Sequence, residues 1–190
     1  MIRSDLPCRL ILVGLRGSGK TSAGKLLSSR IGAGFFDTDE WIEKERGKTI
    51  QEIFRTEGES ALRSLERRSL ETLQKRPTPE VVSTGGGIVQ STTNRNLITA
   101  LGQVVYLQAN CETLVKRIQS TPRQKSSRPK LTNLSPEDEM KAMNLKRHPL
   151  YLEVAHAIVD AEPSIEEVVE KLAVIWKSLC FLQHKRSADR

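Results

Sequence analysis

An α/β fold built around one parallel sheet is what this 190-residue sequence predicts, on three observations. Short apolar runs alternate with longer amphipathic stretches, the rhythm of strand and helix taken in turn. Leu10-Ile11-Leu12-Val13 is an unbroken aliphatic run, as a strand covered on both faces requires, and it stops at Gly14. No repeat of roughly 20–50 residues is present, which sets aside solenoids and propellers. The length suits one domain, and 37% hydrophobic with 28% charged residues is the composition of a chain that folds.

Four further runs join the first as strands: Phe35-Phe36, Val81-Val82-Ser83, Val104-Val105-Tyr106-Leu107 and Ala157-Ile158-Val159. Apolar spacing of three and four places helices at about 20–31, 39–46, 57–75, 93–101, 111–119, 135–147 and 164–182. Two starts are well marked. Ser135-Pro136-Glu137-Asp138 offers a cap, a first-turn proline and acids at the positive end of the dipole, and Ser164 has Glu167 three residues on. Residues 120–134 open with Ser120-Thr121-Pro122-Arg123-Gln124-Lys125-Ser126-Ser127-Arg128-Pro129-Lys130, cationic and almost without apolar side chains. That segment reads as a solvated loop or as a mobile lid over an anionic ligand. The domain is expected over 1–182, with 183–190 a flexible tail.

A net charge of +7 favours anionic partners without naming them. Aromatic residues make up only 4% of the chain, too few for a stacking platform, so a nucleic-acid partner is not expected. Cys8, Cys111 and Cys180 are widely spaced, odd in number and too few for a zinc quartet, which reads as reduced thiols in a cytoplasmic chain. Met1 to Pro7 lacks the apolar stretch of an export signal, and no run approaches the ~20 residues of a membrane span.

The chemistry begins at Gly14-Leu15-Arg16-Gly17-Ser18-Gly19-Lys20-Thr21, a full Gly-x4-Gly-Lys-[Ser/Thr] phosphate loop placed between a strand and a helix. Its backbone N–H groups cradle phosphates, Lys20 reaches the β- and γ-phosphates, and the Thr21 hydroxyl is placed to hold Mg²⁺. Asp37 and Asp39 follow the second strand, at the sheet end where ligands of parallel sheets bind. One carboxylate suits the metal through water and the other an attacking hydroxyl; either also suits a helix cap. Glu59, Arg63 and Glu66 share one helical face, as a surface ladder or as a rigid mount that readies Arg63 for a carboxylate. Gly85-Gly86-Gly87 at a strand end costs backbone entropy without packing, which implies close approach of a ligand or a plain turn. Arg128 in the basic segment and Arg147 in Arg147-His148-Pro149-Leu150-Tyr151 add two guanidinium groups.

In that order these motifs resemble the shikimate kinases, over approximately residues 9–175; Phe54-x-x-Glu57-Gly58-Glu59, Arg-Pro-x-Leu and Arg-x-Pro-Leu-Tyr complete the match. The resemblance implies a three-layer P-loop kinase fold with a five-stranded parallel sheet, a substrate segment at about 39–75 and a lid at about 120–134. It implies ATP:shikimate phosphotransfer with Mg²⁺ by a monomer. Lys20, Asp37, Asp39 and Arg128 become the catalytic set, and Thr21 with Asp37 the metal set. Gly17, Ser18, Gly19, Lys20, Thr21, Ser22 and Arg128 bind ATP, while Asp39, Arg63, Gly85, Gly86, Gly87 and Arg147 bind shikimate. Lys130 departs from the usual leucine, and the adenine-stacking arginine has no clear counterpart: Ser120 stands near its place, Arg117 and Arg123 flank it, and Pro163 is a contact for the opposite face. Another small-molecule kinase and an inactive nucleotide-binding homologue are the alternatives.

Overall fold

The computed structural model describes residues 8–120 and 135–188, with side chains to Leu179. Five strands run in chain order: β1 (Arg9–Val13), β2 (Gly34–Asp37), β3 (Glu80–Ser83), β4 (Gln103–Gln108) and β5 (Ala157–Asp160). All neighbouring pairs are parallel and the order across the sheet is β2-β3-β1-β4-β5. The helices are α1 (Lys20–Ile31), α2 (Thr38–Arg46), α3 (Ile50–Gln74), α4 (Thr92–Leu101), α5 (Cys111–Ser120), α6 (Pro136–Val154) and α7 (Ile165–Ala188), with a 3₁₀ turn at Ile88–Gln90. All five expected strands and the expected sheet are present.

Strand alternation explains the layers, because successive side chains point to opposite faces. Leu10 and Leu12 pack with Leu27 of α1 and Val169, Leu172 and Trp176 of α7. Ile11 and Val13 pack on the other face with Leu70 of α3, Ile98 of α4, Leu114 of α5 and Tyr151 of α6. Leu10 to Val13 have no exposed surface, and each such side chain contributes about 1.5–3 kcal/mol by leaving water. A third cluster, Ile42, Ile50, Ile53, Leu62 and Leu65, gives α2 and the first half of α3 their own small core. No helix among the described residues is long and apolar enough to cross a membrane.

Three helix bounds differ from those expected. α3 starts at Ile50 rather than 57, because Thr49 and Glu52 form a reciprocal capping box: Thr49 N donates to Glu52 Oε2 at 2.8 Å and Glu52 N to Thr49 Oγ1 at 3.2 Å. Gly58, at φ 83° and ψ 176°, is not helical, so α3 is two helical segments meeting at a sharp kink that only glycine takes cheaply, and the second segment is the stretch expected from about 57. α6 runs through Pro149 to Val154, so Arg147 and Tyr151 lie one turn apart on the same helix. Pro149 is exposed, so its ring sits on the solvent side of α6 rather than against the core. α7 continues to Ala188, into residues expected as tail, with neither proline nor glycine after Ile165 to stop it. The two marked helix starts hold: Ser135 Oγ accepts from Asp138 N at 3.1 Å, and Ser164 Oγ from Glu167 N at 3.3 Å.

The sheet end opposite the phosphate loop holds a buried ion cluster. Arg9 opens β1 beside Glu80, which opens β3; both are almost fully buried. Glu80 accepts from Arg76 Nε at 2.7 Å and lies 3.4 Å from Arg9 Nε, while Arg9 Nη2 donates to the Arg76 carbonyl at 2.8 Å. Burial pulls the Arg9 guanidinium below its ordinary pKa, and Glu80 opposes that pull. Removing the anion strands a buried cation, so Glu80→Ala is expected to cost about 3–5 kcal/mol in urea unfolding. A loss under ~1 kcal/mol contradicts this reading of the cluster.

Candidate active site

The C-terminal ends of β1, β2 and β3 carry the chemistry, and their parallel register puts it side by side. After β1 the chain turns through the phosphate loop into α1, where Lys20 is buried and donates to the carbonyls of Gly14 and Leu15, each at 2.9 Å. Thr21 Oγ1 donates to Asp37 Oδ2 at 2.9 Å and lies 3.2 Å from Ser83 Oγ. Asp37 pairs with Ser83 across β2 and β3. Its other oxygen accepts from Asp39 N at 2.9 Å and Glu40 N at 3.2 Å, so it caps α2 while facing Thr21. The cap expected of one of the two carboxylates is therefore made by Asp37. Thr21, Asp37 and Ser83 supply hard oxygen donors, which suit Mg²⁺. Among the described residues no cluster of three His, Cys, Asp or Glu side chains exists that could hold a metal ion.

Next to this loop the three glycines follow β3. Gly85 N donates to Thr38 Oγ1 at 2.9 Å, a tie between strand ends that sequence reading missed. Asp39 Oδ1 fills the place where a Cβ on Gly85 would sit, and Arg63 Nη1 lies 2.5 Å from the corresponding place on Gly87. Side chains are therefore absent here because Asp39 and Arg63 lean onto the backbone.

Arg63 is held on two sides. Nη1 donates to both oxygens of Glu66 at 2.6 and 2.7 Å, and Nη2 donates to Glu59 at 3.1 Å. This is no surface ladder: Glu66 is 2% exposed and Arg63 15%. Burial works against the Arg63 charge, yet Glu66 and Glu59 outweigh it and raise its pKa. Burial pushes Glu66 up to about 7, against the pull of Arg63; Asp39 adds to the rise and Arg147 opposes it. Those influences place Asp39, Arg63, Glu66 and Arg147 in one electrostatic neighbourhood. Arg147 Nη1 reaches the carbonyl of Gly86 at 3.3 Å from α6.

A cleft of about 340 Å³ runs from the phosphate loop to Asp39 and Gly86, lined by Lys20, Thr21, Asp37 and also Arg16. Arg16, which sequence reading passed over, is paired at 3.1 Å with Glu139 of α6. A second cavity of about 350 Å³ adjoins the loop between Gly17, Ser18, Gly19, Ser22, Arg117, Ser120 and Pro163. Arg117 closes one side and is fixed by the carbonyls of Ala161 at 2.7 Å and Glu162 at 3.1 Å. Arg128, with Arg123 and Lys130, lies outside the described residues.

A phosphate loop, an oxygen-donor pair for a cation, and two guanidinium groups above a glycine floor form a site for moving a phosphoryl group onto a small anionic acceptor. The fold and site define a P-loop kinase. A model of the shikimate kinase family matches residues 16–176. Shikimate kinase 2 of Enterobacter sp. (strain 638) is 37% identical over 171 residues, 90% of this chain and 97% of that one. Shikimate kinase 2 of Dickeya chrysanthemi is 42% identical over 153 residues, 80% of this chain and 86% of that one. The structure of shikimate kinase from Acinetobacter baumannii in complex with shikimate matches with a TM-score of 0.82 at 34% identity, covering 92% of this chain and 95% of that one. The chain belongs to the shikimate kinase family.

The raised pKa of Glu66 has a signed consequence for stability. Between its ordinary value near 4.5 and about 7, the unfolded chain has released a proton that the folded chain still holds. The stabilisation is complete below the lower value and is lost as pH rises through the upper one. Urea unfolding at pH 5 and pH 8 is expected to show wild type losing stability relative to Glu66→Gln as pH rises. A relative gain contradicts the sign.

Proposed function

We propose that this kinase moves the γ-phosphoryl group of ATP to the 3-hydroxyl of shikimate, giving shikimate 3-phosphate and ADP on the route to chorismate and the aromatic amino acids. The observation that carries the acceptor assignment is the convergence of Asp39, Arg63 and Arg147 on Gly85–Gly87 beside the phosphate loop. Two guanidinium groups suit a carboxylate, a carboxylate such as Asp39 suits ring hydroxyls, and a bare glycine backbone lets a ring lie close.

The residues divide by role. Gly17, Ser18, Gly19, Lys20, Thr21 and Ser22 hold the phosphates, and the cavity between Arg117 and Pro163 takes the adenine. Thr21, with Asp37 through water, would hold Mg²⁺, which neutralises phosphate charge when bound. Arg63 and Arg147 take the shikimate carboxylate, and Asp39 orients the ring and polarises the attacking hydroxyl. Lys20 compensates charge on the transferred oxygens; Arg128 joins it on the strength of the family resemblance. Catalysis of this kind is mostly alignment and charge compensation. The same reading makes the enzyme a monomer with no membrane partner, on the strength of the family resemblance, and a cytoplasmic protein without a nucleic-acid partner, supported by its widely spaced cysteines and scarce aromatics.

The test is ADP release with Mg²⁺-ATP and, in turn, shikimate, gluconate, a nucleoside monophosphate or no acceptor. Release is expected with shikimate alone; release with another acceptor, or none with shikimate, overturns the assignment. Arg63→Ala is expected to raise the shikimate KM by ~10–100-fold, the effect of losing hydrogen bonds to a charged group, with the ATP KM within about twofold. Equal loss for both substrates contradicts the role given to Arg63.

A further inference from the structure

The Arg-x-Pro-Leu-Tyr segment supplies Arg147 to the site, yet its tyrosine has the more confining environment. Tyr151 has no exposed surface, stacks on Tyr106 with ring centres 4.9 Å apart, and donates its hydroxyl to the Gly86 carbonyl at 2.5 Å. The same carbonyl accepts from Arg147 Nη1 at 3.3 Å, so one oxygen of the glycine floor is gripped by two donors a single helical turn apart. Gly86 also abuts the phosphate loop: a Cβ there would sit 3.2 Å from the Gly14 carbonyl and 3.4 Å from Arg16 N. It is wedged between the nucleotide half of the site and α6.

We propose that Tyr151 is a positioning residue for the acceptor: by fixing the Gly86 carbonyl it sets the height of the glycine floor and the placement of Arg147. The proposal rests on the acceptor site described above. Tyr151 touches neither substrate in it; its hydroxyl acts only through Gly86. The donor is secure, because burial holds the Tyr151 hydroxyl far above its ordinary pKa and keeps it protonated. The stacked Tyr106 is an internal control. Its hydroxyl pairs with His148 Nδ1 at 3.1 Å, so its removal perturbs the same aromatic pair without freeing Gly86.

The experiment compares the full-length wild type with Tyr151→Phe and Tyr106→Phe, measuring kcat and KM for each substrate at saturation in the other, together with thermal unfolding. Tyr151→Phe is expected to raise the shikimate KM about 5–20-fold, the scale of losing a buried hydrogen bond, with ATP KM within twofold and kcat falling less than threefold. Tyr106→Phe is expected to leave shikimate KM within twofold. A purely structural role would lower the melting temperature in both variants without moving KM. An unchanged shikimate KM in Tyr151→Phe, or an equal rise in Tyr106→Phe, overturns the proposal. Absence of shikimate-dependent turnover in the wild type overturns the acceptor reading and the proposal together; normal wild-type turnover with an unmoved Tyr151→Phe overturns only the proposal.

Discussion

The parallel pairing of β3 between β1 and β2 is the constraint on which the site depends. Leu12 and Asp37 both stand opposite Ser83, so the phosphate loop, the Asp37–Asp39 turn and the glycine triplet leave the sheet at one level. A parallel sheet can align three strand ends in this way because its crossovers return every chain to the same edge. The Thr21–Asp37–Ser83 hydroxyl and carboxylate contacts, and the Thr38 cap on Gly85, then lock neighbouring turns to one another. At the opposite edge, Arg9 and Glu80 hold β1 and β3 in that register through charge buried in the base of the sheet.

A second constraint is electrostatic. A site that takes a carboxylate needs guanidinium groups held rigid and partly out of water, and such groups are costly to bury alone. The structure answers with Glu66 and Glu59, which hold Arg63 in place before any ligand arrives. Glu66 in turn is deep enough that burial competes with the ion pair for its proton. Glycine at 85 and 87 completes the arrangement by letting Asp39 and Arg63 rest on bare backbone. Acid, base and floor are one packed unit, and none of its parts is adjustable alone.

Local signals in the sequence carried far where local physics decides the outcome. The aliphatic run Leu10–Val13 could only be a covered strand, and Gly19 with Gly32 bounds α1 at the expected residues. The phosphate loop is recognisable because its function is written in contiguous backbone. Tertiary features were less legible. Apolar spacing found the helical stretch after Gly58, while the turns from Ile50, capped by Thr49 and Glu52 and packed through Ile50 and Ile53 against Ile42, were passed over. Pro149 suggested an end to α6 that the burial of Tyr151 and Val154 overrides. Spacing put Glu59, Arg63 and Glu66 on one face but not which way that face turned. The Tyr151–Gly86 contact spans 65 residues and leaves no trace in either local segment.

The central claim is that the acceptor's carboxylate lies on Arg63 and Arg147 with its ring above Gly85–Gly87 and its reacting hydroxyl toward the phosphate loop. A crystal structure with shikimate and a non-hydrolysable ATP analogue tests this most directly. The account predicts both guanidinium groups on the carboxylate, Asp39 on ring hydroxyls, and an acceptor oxygen roughly 3–3.5 Å from the γ-phosphorus. A carboxylate bound at Lys20, or a ring seated away from the glycine floor, would contradict it.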